Sequence, residues 1–231
     1  MNPATLLDPQ AAAIVAGGTL IATVLRSGFT DCRHALAALG QIGRRRFDGR
    51  KARAELAVQV QDIQRDGLLR AEPHHFGDSE FDEATDALIG NRSVSALLAA
   101  HESHKRRRLE ANNRAVRTLA QSAELAPVFG LAGTLISLSQ LPAEGLARGA
   151  FAGAISMAVL TTLYGLLLAN LLLAPLARIV ERAAMAEERD RQDIVDWLAE
   201  QVTAAVPRRK TGEHHHDPHA FPPVLSDAVE V

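Results

Sequence analysis

The sequence predicts an all-α integral membrane protein with three transmembrane helices and a large helical cytoplasmic segment, and three observations carry that reading. Charge is segregated: Pro9 to Leu25, Leu125 to Ala143 and Gly149 to Ala177 contain no Asp, Glu, Lys or Arg, and strongly charged segments separate them. Arginine is distributed unequally at the ends of those runs. Elsewhere apolar residues recur at helical spacing, broken at glycine, proline and aspartate.

A helix needs about 20 apolar residues to cross the hydrocarbon core. The third run exceeds that length, the second nearly supplies it, and the first lies at the short end of the accepted range. Bulk composition, 47% hydrophobic and 23% charged over 231 residues, would by itself suit one or two soluble domains. The third run is hard to read as soluble, because it leaves no polar face to turn toward water. The first reads as a span rather than a signal peptide: such a peptide wants a basic start, whereas Asp8 precedes this run without any Lys or Arg.

Arg26, Arg33, Arg44, Arg45 and Arg46 follow the first run, and Arg178 and Arg182 follow the third. The short connection after Leu141 has only Arg148, balanced by Glu144. Basic residues favour the cytoplasmic side, so the N-terminus and this connection face outward. The organisation is then a transmembrane helix over 1–26, a cytoplasmic helical domain over 27–124, a transmembrane hairpin over 125–177, a cytoplasmic amphipathic helix over 178–206 and a disordered tail over 207–231. "CRHALAALGQI" and "RAELAVQVQDI" are helical in pattern, and Ser93 to Glu124 predicts one stiff helix entering the second span. Ile179, Ala183, Ile194, Trp197 and Leu198 form the apolar stripe of the last helix. Scattered prolines and no period mark the tail as disordered.

Several chemistries are excluded. Cys32 is the single cysteine, which rules out a disulfide framework or a thiolate metal cluster and suits a cytoplasmic loop. His214, His215, His216 and His219 lie on a flexible chain without the preorganised geometry of a metal site. Lys105, Arg106, Arg107 and Arg108 fall on a predicted helix with interspersed acids and no aromatic platform, which reads as a solvated or headgroup-facing surface rather than a nucleic-acid interface. No nucleophile is paired with a base and no residues have metal-ligand spacing in a plausible pocket, so the chain is not an enzyme and needs no cofactor.

Polar and small residues inside the spans are more informative. In the third run Ala158, Thr162, Gly165 and Ala169 share one helical stripe, and Met157, Thr161, Tyr164 and Leu168 the next. Gly149 and Gly153 add a GxxxG pair, and the second run carries Gly130, Gly133, Thr134 and Ser137. Small residues let membrane helices approach closely. The hydroxyls have two readings: bonding back to carbonyls of their own helix, or lining a narrow path where Thr134, Thr161 and Thr162 hydrate or coordinate an ion. Pro127 and Pro175, near the inner ends of the spans, each free a carbonyl and mark a helix boundary or a hinge.

"LAPVFGLAGTLISL", a short connection and "GAISMAVLTTLYGLLLANLLLAPLA" resemble the paired third and fourth spans of the MotA branch of the MotA/TolQ/ExbB ion-channel family. "DPQAAAIVAGGTLIATVL" resembles that branch's second span, and "RDGLLRAE" the start of its charged rotor-facing region. The resemblance implies a flagellar stator subunit in the bacterial inner membrane. Copies form a ring, a pentamer by family likeness, around a single-span, peptidoglycan-binding MotB-type partner whose aspartate carries the transported H+ or Na+. It implies that Thr134, Thr161 and Thr162 lie near that aspartate, that Pro127 and Pro175 couple ion passage to motion, and that Arg70, with Asp78 as acidic counterpart, meets the rotor switch protein. Membrane lipid is the remaining partner, and nucleic acid is not one. The first span of the usual four-span MotA pattern is absent, so the expectation is either a start internal to a longer product or a divergent three-span form. Three spans are also the topology of TolQ and ExbB, which makes an energiser of an envelope-spanning partner the second reading and a non-conducting scaffold the third.

Overall fold

The computed structural model describes residues 8–42, 47–67, 70–72, 75, 77–141 and 148–205. Arg44, Arg45, Arg46, Glu144 and the tail over 207–231 lie outside the described residues. Among the described residues the regular structure is entirely helical: α1 (Pro9–Ile42), α2 (Gly49–Asp66), α3 (Ser79–Asn91), α4 (Val94–Ser139), α5 (Arg148–Leu167), a π-helical segment (Leu168–Leu173) and α6 (Ala174–Ala205). Three stretches are long and apolar enough to cross a membrane: α1, α4, and the run from Phe151 to Ala204. This is the expected class, an all-α membrane protein.

Local chemistry sets the helix ends. Asp8 Oδ1 accepts from the Gln10 N–H (2.9 Å) and the Ala11 N–H (3.4 Å) at the start of α1, and Pro9 at the first helical position lacks the N–H that would otherwise be unpaired there. Asp48 caps α2 through Arg50 N–H and Lys51 N–H, and Asp78 caps α3 through Glu80 N–H and Phe81 N–H. α1 does not stop where its charge-free run ends; it continues to Ile42 through a kink at Gly28 (φ 82, ψ 160), a conformation that L side chains rarely adopt.

α4 organises the molecule. Its 46 residues extend about 70 Å at 1.5 Å per residue, and its buried positions form one stripe: Leu97, His101 and His104, then Ala115, Leu119 and Ser122, then Ala126, Gly130, Gly133 and Ser137. α1 packs antiparallel to it, with Thr23 Oγ1 donating to Ser122 Oγ (3.0 Å) and Ser27 Oγ to Gln121 Oε1 (2.7 Å). α5 returns antiparallel on the membrane half. The start of α1 and the α4–α5 connection therefore share one end of the bundle, and α2 and α3 pack at the other.

Two apolar cores follow. The lower one joins Leu56, Val60 and Ile63 of α2, Phe81 and Leu88 of α3, Leu97 of α4, and Ile194, Val195, Leu198 and Val202 of α6. The upper one, at the ends of the spans nearest the lower core, joins Ala35, Ala115, Leu119, Ala177 and Val180. The spans carry their large apolar side chains outward instead: Leu25 is 81% exposed, Leu135 69% and Leu171 72%. That inversion is the surface expected of helices solvated by lipid.

Pro175 lies one residue past the π-helical segment, after Ala174. Its ring would meet the carbonyl of Leu171 four residues back, and the widened turn accommodates it. The Ala174 N–H reaches Ala169 O, five residues back, and Asn170 Nδ2 donates to Leu166 O (3.0 Å). The segment adds one residue to the helical phase. At 3.6 residues per turn, the buried face through Thr161 and Gly165 projects to Ile179 and Ala183. The buried position is instead Val180, and Ile179 is 44% exposed, which corrects the stripe expected from uninterrupted α-periodicity.

Leu198 is fully buried in the lower core. Leu198→Ala is expected to cost about 2–5 kcal/mol of domain stability, whereas Leu135→Ala on the outer surface of a span changes stability by less than about 0.5 kcal/mol. Chemical denaturation in detergent, followed by fluorescence of the single tryptophan, Trp197, which packs on that core, distinguishes the two.

Candidate functional site

The α4–α5 hairpin is closed by backbone meeting backbone. A Cβ added to Gly130 would lie 2.9 Å from Thr161 O and 3.3 Å from the Cα atoms of Thr162 and Gly165. One added to Gly165 would lie 2.7 Å from Ala126 O, 3.1 Å from Gly130 Cα and 3.2 Å from Pro127 Cα. At Gly133 it would meet the Thr161 side chain at 2.7 Å. Such approaches give extensive van der Waals contact where lipid offers no hydrophobic incentive to associate. Gly130, Gly133 and Gly165 thus occupy the seam, and Ala169 (4% exposed) continues it. Gly149 and Gly153 do not: a Cβ at either would meet open space. Ala158 lies at the edge of the seam, half-buried.

The seam separates the adjacent threonines. Thr161 is fully buried between the helices and its Oγ1 donates to Ala158 O (2.9 Å). Thr162, the next residue, turns away from the seam. With Thr134 of α4, Leu138, Ile155, Ala158, Val159, Leu163 and Leu166, it lines an open groove of about 460 Å³ along the outer face of the hairpin. Thr162 Oγ1 donates to Ala158 O (3.2 Å) and Thr134 Oγ1 to Leu131 O (2.6 Å). Back-bonding to the helix and a polar path are therefore not exclusive here. Each hydroxyl proton is committed to its own helix, and the oxygen lone pairs of Thr134 and Thr162 remain on the groove side. The groove holds no Asp, Glu or His, so it has no side chain that takes up a proton near neutral pH.

Both prolines border this hairpin. Pro127 lies inside a helix that continues through it, its Cα facing Gly165, while Pro175 stands just past the π-helical segment. At the start of α1, the Asp8 N–H donates to the Tyr164 hydroxyl (3.0 Å), which ties that helix to α5.

The candidates outside the spans part ways. Arg70 is exposed on the turn after α2, its N–H donating to Gly67 O. Asp78 is engaged internally: it caps α3 and pairs with Arg191 Nη1 at 3.1 Å. Arg191 also pairs with Glu80 (3.4 Å) and Glu187 (3.0 Å), and its guanidinium lies 4.1 Å from the Phe47 ring centroid.

Arg108 belongs to the same network. Expected with its neighbours on a solvated or headgroup-facing surface, it forms a two-pronged pair with Glu188 (3.0 and 3.1 Å) and also meets Glu80, with only 16% of its side chain exposed. Arg106 and Arg107 remain exposed. His104 Nε2 lies 2.9 Å from Glu83 Oε2 without meeting hydrogen-bond geometry, and His101 Nε2 lies 4.0 Å from Glu188. Arg108 and Arg191 also border a cavity of about 570 Å³ between α1, α4 and α6. The signal for this network was present in the spacing: Leu97, His101, His104 and Arg108 follow the i, i+4, i+7, i+11 pattern of one helix face.

Burial holds the His101 imidazole below its ordinary pKa of 6.5, against the opposing pull of the Glu188 carboxylate, with Gln192 and Glu102 also raising it and Lys105 lowering it. The folded state therefore keeps His101 neutral where an unfolded chain would protonate it.

A lipid-facing helical hairpin, sealed by glycines and presenting two hydroxyls in one open apolar groove, defines a polytopic membrane protein whose spans are built to pack closely. The chain belongs to the MotA/TolQ/ExbB proton channel family, whose profile matches residues 74–193, just over half of its length. Motility protein A of Cereibacter sphaeroides is 23% identical over 191 residues, covering 82% of this chain and 75% of that protein. Among solved structures, C. jejuni MotAB superposes with a TM-score of 0.79 at 19% identity, over 90% of this chain and 83% of that one. The flagellar MotAB stator complex from Bacillus subtilis superposes with a TM-score of 0.75 at 18% identity, over 86% and 79%. The family and fold class expected from the span motifs are those found, and a proton channel family performs no covalent chemistry on a substrate.

Two outcomes are expected. Gly165→Leu forces side-chain atoms against helix backbone and lowers stability by about 1–3 kcal/mol, while Gly149→Leu, in open space, stays within about 0.5 kcal/mol; thermal midpoints in detergent separate them. Because the folded pKa of His101 is depressed, the unfolded chain binds the extra proton, and stability falls as pH drops below about 6.5. A melt series between about pH 7.5 and pH 5.5 checks this, with His101→Gln flattening the acid limb.

Proposed function

We propose that the chain is the ion-conducting stator subunit of a bacterial flagellar motor, coupling proton or sodium flow, through a complex with a MotB-type partner, to torque on the rotor. The observation that carries the reading is the groove itself: Thr134 and Thr162 open onto one face, no acid lies on that face, and glycines seal the hairpin behind it. A cation crossing there needs a carboxylate from outside the chain. A single-span partner helix lying in the groove supplies one, and the threonine oxygens stand in for part of the water that a charged carboxylate or a dehydrated cation loses. Neutralisation of that carboxylate by the passing ion removes its demand for polar contacts, so the occupied and empty states favour different seatings of the partner.

Several copies, five by family likeness, surround the partner in the inner (cytoplasmic) membrane. Movement reaches the cytoplasm through the π-helical segment and Pro175, because α6 continues from them into the lower core. Exposed Arg70 is the rotor contact; Asp78 supports the rotor-facing region from within by holding Arg191. H+ and Na+ are told apart by the ion dependence of torque.

Expression with a MotB-type partner in stator-less cells restores swimming. Thr162→Val reduces torque severalfold with unchanged membrane content, Thr161→Val retains most of it because that hydroxyl is enclosed and bonded to its own helix, and Pro175→Ala impairs it. Normal motility of a deletion strain together with a leaky outer envelope assigns the chain instead to an energiser of an envelope-spanning partner. Absence of any ion dependence assigns it to a scaffold.

A further inference from the structure

We propose that the inner rim of the bundle carries an arginine collar, Arg26, Arg33, Arg114, Arg117, Arg178 and Arg182, that binds the phosphate headgroups of anionic phospholipids. Contacts between helices fix its level. Ser27 of α1 bonds to Gln121 of α4, and Ala35, Ala115, Leu119, Ala177 and Val180 form one buried cluster. Arg26 is next to Ser27, level with Gln121, while Arg117 lies between Ala115 and Leu119 and Arg178 between Ala177 and Val180, about one turn nearer the cytoplasm, so three helices place their arginines within little more than a turn of one another. Arg114 and Arg182 follow about one turn nearer the cytoplasm on their own helices, and Arg33, seven residues after Arg26, about two turns.

All six are exposed, and none makes an ion pair or side-chain hydrogen bond with a described residue. Deeper in the cytoplasmic half, Arg108 and Arg191 are closed on carboxylates. The acids within about a turn of these arginines are Asp31, Glu110, Glu124 and Glu181, so six arginines face four carboxylates and leave an excess of two positive charges.

The occupant follows from what lies above. The charge-free runs meet the collar at Leu25, Leu125 and Ala177, and on its membrane side the same helices expose Leu20, Ile21, Val128, Leu131, Leu171 and Leu172. An anion that binds here is best satisfied by carrying apolar chains of its own. A guanidinium presents paired donors that match phosphate oxygens, and the long arginine stem lets the charge rise to the headgroup plane. The inference rests on the fold and its charge alone, and its failure leaves the stator reading untouched.

The test uses the full chain reconstituted in phosphatidylcholine vesicles carrying a trace of spin-labelled phosphatidylglycerol or spin-labelled phosphatidylcholine. The expected result is a several-fold higher association of the anionic label, falling about fivefold for each charge removed by Arg117→Gln or Arg178→Gln and largely kept by Arg117→Lys and Arg178→Lys. Equal association of the two labels with the unaltered chain overturns the proposal. So does a preference that survives both glutamine substitutions, or displacement of the anionic label by millimolar inorganic phosphate, which would make this a site for a soluble anion. Should the glutamine variants fail to fold, salt decides on the unaltered chain: the preference weakens as ionic strength rises toward about 1 M, and a salt-independent preference refutes the collar.

Discussion

The membrane half of this protein depends on one contact, the meeting of α4 and α5 at Gly130 and Gly165. Each glycine stands where a Cβ would collide with the opposite backbone, at Thr161 O on one side and Ala126 O on the other. Two helices brought this close make their contacts with main-chain atoms, whose positions are fixed by their own hydrogen-bond ladders. The hairpin therefore has one register, and the rotation of α5 about its axis is set with it. That rotation encloses Thr161 and leaves Thr162 on the outer groove. Two chemically identical side chains, adjacent in sequence, acquire different surroundings from a constraint that neither supplies.

α4 carries the same constraint out of the membrane half. Its buried stripe changes chemistry along its length, from glycine and serine in the span, through alanine and leucine at the upper core, to histidine and leucine below. Small residues suit lipid, where shape alone favours association. In water-exposed surroundings burial of apolar surface takes over, and Arg108, His104 and His101 are admitted because Glu188, Glu80 and Glu83 meet them. Isolated, the Arg108 guanidinium would be expensive to bury; paired with Glu80 of α3 and Glu188 of α6, it makes the arrangement of those helices specific.

Charge segregation made the spans and the fold class legible, since a long uncharged run has few other structural outlets. The glycines of the seam were legible as small residues, but spacing did not separate Gly130, Gly133 and Gly165, which touch the facing helix, from Gly149 and Gly153, which do not. A GxxxG pair states that a helix can be approached closely; it does not state that anything approaches it. Spacing grouped Thr162 with Gly165 and Ala169 on one stripe, whereas Thr161 is the threonine that joins them in the seam, for a similar reason. Adjacent residues differ by about 100° around the axis, and the phase of a nearly all-apolar helix is poorly marked by hydropathy, so only the partner helix settles which one faces inward. Arg108 was misread because a basic cluster suggests surface by composition, whereas its place on the Leu97 stripe indicates burial.

The displaced stripe of α6 shows how the two halves are joined. From Thr161 and Gly165 an uninterrupted α-helix would present Ile179 and Ala183 to α4 and send later inward positions out of phase with the lower core. The π-helical segment at Leu168–Leu173 inserts one residue, and the inward series becomes Val180, Arg191, Ile194, Leu198 and Val202. The facing of the groove in the membrane and the closure of Arg191 on Asp78 and Glu80 below are consequently set by the same inserted residue. Pro175 favours that insertion, because a regular α-turn would drive its ring into the Leu171 carbonyl. Single-turn π-helical segments are rare and recur at functional sites, and this one is the point that fixes the relative rotation of the two halves. A rigid seam above and a charge-locked core below confine any rotation between the halves of this helix to the few residues between them.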